Sequence, residues 1–70
     1  MDTPQIKPVI NIADQITCVQ REINKRKYVY PRRVKKGQMT QKLADREIEH
    51  MEAVLATLNE VLDKQEFSLS

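Results

Sequence analysis

Seventy residues hold one domain at most, and a lone core of that size is marginal without a metal, a disulfide or a partner chain. A single cysteine, Cys18, excludes an internal disulfide and a thiolate metal cluster, and the three aromatics, Tyr28, Tyr30 and Phe67, argue against a small β-sandwich or barrel. Twelve Lys and Arg against ten Asp and Glu leave a formal net charge of +2, which predicts nothing by its size but much by its distribution.

Met1 to about Val9 contains Pro4 and Pro8, each of which holds itself and its predecessor extended. Residues 1–9 therefore read as a flexible arm. With two early prolines and no long apolar run, the segment is expected to be neither a secretory signal nor a membrane span.

Asn11 is a candidate helix N-cap, with Asp14 in the first turn favouring the positive end of the dipole. Ile12, Ile16, Val19 and Ile23 then recur at helical spacing, and the same seam continues through Lys27, Tyr30 and Val34. Lys27 interrupts the seam and is expected to snorkel, its stem packed and its ammonium in water. The first helix spans about residues 11–36. Pro31 inside it removes one backbone hydrogen bond, so the helix is expected either to kink there or to stop near Tyr30 and restart. Gly37 suits a left-handed C-cap, and Lys35 and Lys36 sit in the last turn, where the dipole favours cations.

Gln38 to Thr40 forms a short link, with Thr40 an N-cap and Met39 placed to staple against Ala44. Ala44, Ile48, Met51, Leu55, Leu58 and Leu62 follow alternating gaps of four and three, the a/d pattern of nearly three heptads. Val54 and Val61 widen the stripe on one flank, toward a bundle rather than a strict two-stranded seam. The second helix spans about residues 41–65, and residues 67–70 read as a tail.

The fold class that follows is all-α: an antiparallel helical hairpin over residues 10–66, completed into a helix bundle by self-association. The short link sets the register, with Val34 near Leu43, Ile23 near Leu55 and Ile12 near Gln65. A homo-oligomer is expected because two helices bury only one face each and leave Val54, Val61 or Tyr30 partly wet.

Residues 21–36 carry Arg21, Lys25, Arg26, Lys27, Arg32, Arg33, Lys35 and Lys36 against one Glu22, whereas residues 45–66 carry seven carboxylates against Arg46 and Lys64. One arm is basic and the other acidic, which is a statement about partners, including the other half of the same chain. On a helix Arg21, Lys25, Tyr28, Arg32 and Lys35 form one continuous cationic stripe with a tyrosine in it. Such a stripe suits phosphates or an acidic protein surface, or else stands as a solvated face balanced by the second helix.

No catalytic signature is present, and no cofactor or metal is expected. There is no Gly-rich phosphate loop and no nucleophile elbow. His50 is the sole histidine, and the register sets Cys18 near Asn59, more than two turns from it, too far for nucleophilic catalysis. Met39-Thr-Gln-Lys-Leu-Ala-Asp-Arg-Glu47 superficially matches the start of a DNA-binding helix-turn-helix, but the helix then runs on without the second turn that motif needs.

The segment Tyr28-Val-Tyr-Pro-Arg-Arg-Val-Lys-Lys-Gly-Gln-Met-Thr40, followed by Ala44-Asp-Arg-Glu-Ile48 and Met51-Glu-Ala-Val-Leu-Ala-Thr-Leu58, resembles small proteins of temperate phages and prophages of Gram-negative bacteria. The likeness covers about Cys18 to Leu62. It implies a setting, the bacterial cytoplasm during infection or lysogeny, and a mode of action shared by many small phage proteins, which is to bind a host or phage macromolecule. The function expected is a non-catalytic accessory protein that inhibits a host defence or nucleic-acid-handling complex. Its contact surface is expected to be Lys25, Arg26, Tyr28, Arg32, Arg33, Lys35 and Lys36, with the acidic face of the second helix as another possible surface. The alternative is a small basic DNA- or RNA-binding accessory or regulatory protein using the same stripe.

Overall fold

The computed structural model describes the backbone of residues 10–69 and the side chains of residues 10–66; the expected N-terminal arm lies outside the described residues. Two helices, α1 (Ile12–Lys35) and α2 (Gln41–Leu69), pack against each other as an all-α helical hairpin. The molecule is only 15 Å thick in its shortest dimension, one layer of helices.

Each helix end is fixed by a local signal. Asn11 caps α1, its side chain accepting from the Asp14 N–H at 2.8 Å, and Gln15 donates back to the Ile10 carbonyl at 2.8 Å. At the other end Gly37 adopts φ +74°. Gly37 N–H bonds the Val34 carbonyl and Gln38 N–H the Arg33 carbonyl, at 3.0 and 2.8 Å. This pair of bonds is a Schellman cap, and it turns the chain out of α1. Three residues later Thr40 accepts from the Leu43 N–H at 3.1 Å and starts α2. Met39, half-buried, and Ala44, buried, occupy the two positions of a hydrophobic staple.

Helix α1 runs through Pro31 without a break, so the stop-and-restart alternative does not occur. The seam explains why. Tyr30 and Val34, on either side of the proline, are both half-buried, and ending the helix between them would take one of the two off the interface. Helix α2 runs on through Leu69, past Gln65. No Gly or Pro lies in residues 65–69 to stop it, so residues 67–69 belong to the helix rather than to a tail.

The register places Ile23 with Leu55, and Gln20 with Asn59, around one shallow cleft; Tyr30 and Ile48 line another nearer the link. Burial is sparse. Among the described residues only Ile23, at 1% exposure, and Ala44 are buried. The rest of the seam (Ile16, Val19 and Val34 on α1; Ile48, Met51, Leu55, Leu58 and Leu62 on α2) is half-buried. Two helices touching along one line enclose little, because every seam residue off that line keeps one side open to water.

Candidate macromolecule-binding face

The seam dictates where the charges go. At 100° per residue, a helix that turns Ile16, Ile23 and Val34 toward α2 turns Arg21, Lys25, Tyr28 and Arg32 to the opposite side. All four are exposed, as are Arg33, Lys35 and Lys36. Arg32 lies over the Tyr28 ring, its guanidinium carbon 4.5 Å from the centroid. This i,i+4 cation–π contact orders two members of the row, yet Tyr28 stays 63% exposed.

Ion pairing across the hairpin is much thinner than the opposition of a basic and an acidic arm predicts. One pair crosses between the helices among the described residues, Lys27 Nζ to a Glu52 carboxylate oxygen at 3.2 Å. Lys27 thus snorkels as expected, and its ammonium ends on Glu52. The other pair stays within α1, Arg26 Nε to Glu22 at 3.1 Å. The hydrogen bond to Glu22 raises the Arg26 pKa above its ordinary value against desolvation, with smaller raising contributions from Tyr30, the Glu22 charge and Glu47. Arg26 is therefore half-buried, on the flank of α1 and partnered, apart from the outward row.

Lys25, Tyr28, Arg32, Lys35 and Lys36 are brought together on the outward side of α1, whereas Arg33, also exposed, lies within about 20° of Arg26 on the flank. Among the described residues no carboxylate lies within ion-pair reach of Arg21, Lys25, Arg32, Arg33, Lys35 or Lys36. Arg21, one turn before Lys25, extends the row and belongs to it by exposure and spacing. From Arg21 to Lys36 the row covers about 22 Å of helix.

Helix α2 shows a complementary segregation. Asp45, Glu49, Glu52 and Asp63 fall within about 60° of one another on one flank, and all are exposed. This is the flank that carries the Lys27–Glu52 pair. Leu43, Val54 and Val61 fall on the other flank, 44%, 47% and 36% exposed.

Cys18 and His50 are both exposed; with Ile23 level with Leu55, His50 stands level with Tyr28, about 15 Å along the axis from Cys18. Among the described residues no cluster of His, Cys, Asp and Glu is placed to hold a metal ion, and no helix is long and apolar enough to cross a membrane. Comparison with protein-family models, with curated proteins and with solved structures finds no match to this chain.

Proposed function

We propose that this protein is a non-catalytic accessory protein that acts by docking the basic row of α1 onto an acidic surface of another protein, within a host complex that defends against or handles nucleic acid. The observation that carries the reading is a row of solvated cations left without carboxylate partners among the described residues, although the chain is rich in acidic residues. A charge face kept only for solubility gains nothing from such segregation, whereas a docking face gains steering and register.

The shape of the field favours a protein partner. The two helices pack side by side, so the row of α1 and the carboxylates of α2 are presented by one small body. The field is that of a dipole, basic along one helix and acidic along the other. A protein surface can match both signs, while a nucleic acid offers negative charge everywhere. Direct binding to DNA or RNA is the second reading, and the exposed Tyr28 beside Arg32 is what favours it, since a base can stack on such a ring.

Capture from nuclease-treated host lysate, with wild type and Lys25→Glu/Arg32→Glu side by side, tests the proposal. Both sites are exposed, so the variant keeps its helical circular dichroism. A protein retained by the wild type and lost by the variant supports the reading; identical partners for both reject the row as the contact. A gel shift at low salt on mixed DNA and RNA separates the second reading, because phosphate contacts made through this row would weaken steeply as salt rises.

A further inference from the structure

We infer that the free flank of α2 is a self-association surface, and that two hairpins pair through it with their α2 helices antiparallel. Leu43, His50, Val54 and Val61 lie within about 40° of one another on the helix wheel. All four are exposed, and three are among the most exposed large apolar side chains of the described residues. Half-buried Leu58 and Met51 border them on the seam side.

Two observations point to a second copy as the occupant. The first is spacing. The four residues follow gaps of seven, four and seven, a pattern that reads the same in both directions. Set antiparallel against itself, the row brings Leu43 onto Val61 of the partner and His50 onto Val54 of the partner, twice, around a two-fold axis level with Glu52. An isologous contact requires this self-complementarity.

The second is charge. The exposed carboxylates Asp45, Glu49, Glu52 and Asp63 stand on the opposite flank, so two acidic helices meet here without bringing those groups together. Glu47, beside the apolar row, is half-buried and close enough to Arg26 to raise its pKa.

Light scattering at about 100 µM, above the micromolar end of the range such interfaces span, should give twice the chain mass for the wild type. It should give a single chain mass for Val54→Asp, with the helical circular dichroism retained because Val54 faces solvent within one hairpin. Ala56→Asp, exposed on the acidic flank, should stay dimeric. A monomeric wild type, or a dimeric Val54→Asp, overturns the inference. Register is tested in a Cys18→Ser background. Leu43→Cys/Val61→Cys should oxidise to a covalent dimer, whereas Leu43→Cys alone should not, since antiparallel pairing sets the two copies of residue 43 about 27 Å apart. Cross-linking by Leu43→Cys alone overturns the antiparallel arrangement.

Discussion

Replacing Ile23 with alanine probes the most enclosed contact between the helices. Its side chain is 1% exposed, the most enclosed of the described residues, and it lies level with Leu55 of α2. The change removes three carbons. At about 0.8 kcal/mol per buried CH₂, plus a cavity that slender helices only partly fill by shifting, the loss comes to about 3 kcal/mol. A 70-residue domain holds about 4–10 kcal/mol in all, so one substitution removes between about a third and three quarters of it. Melting followed by far-ultraviolet circular dichroism should show a fall in Tm of about 12–24 °C. Protein concentration must be matched, because association makes Tm concentration-dependent. Leu55→Ala, at a half-buried position on the facing helix, should cost less. A fall below about 4 °C for Ile23→Ala would mean that α2 does not enclose this side chain, and the packing described above would be refuted.

Two backbone positions give opposite signs. Gly37→Ala places a Cβ at φ +74° with nothing within 4 Å of it, so the cost is conformational alone: about 1–2 kcal/mol for the left-handed backbone, offset by about half through the stiffer unfolded chain. Urea unfolding that shows Gly37→Ala more stable than wild type would refute the left-handed cap. Pro31→Ala restores an N–H to the Lys27 carbonyl and should stabilise α1 by about 1–3 kcal/mol, raising Tm by at least about 4 °C. No rise would mean that the helix already accommodates the ring at no cost.

Much of the fold is legible in the sequence because its signals are local. Asn11, Gly37 and Thr40 each set one helix end through bonds to residues no more than five positions away, and the link between the helices is too short for any register but the one seen. The spacing that puts Ile23 on the seam equally puts Lys25, Tyr28 and Arg32 outside, so most of the basic row could be placed before any coordinates. What composition does not convey is pairing. Arg26 belongs to the same charge run as Lys25 but sits a third of a turn away, where Glu22 reaches it. Lys27 finds Glu52, while Arg21 and Lys25 face open water. The degree of burial is also hard to read from pattern, since an a/d repeat specifies direction, and the depth of the cover depends on how many helices arrive. The outcome at Pro31 was undecided locally because the ring penalty opposes the burial of Tyr30 and Val34, and the coordinates show burial winning.

The unbroken passage of α1 through Pro31 leaves the Lys27 carbonyl without its usual partner four residues on, so the hydrogen-bond ladder beneath the basic row is one rung short. Arg21 and Lys25 ride on the forward length of the helix, whereas Arg32, Arg33, Lys35 and Lys36 ride on a final turn joined to it by one fewer strut. A cationic ruler with such a weakened joint would bend to a curved anionic contour at less cost than one with a complete hydrogen-bond ladder. Restoring the bond, as Pro31→Ala does, would trade that compliance for stiffness.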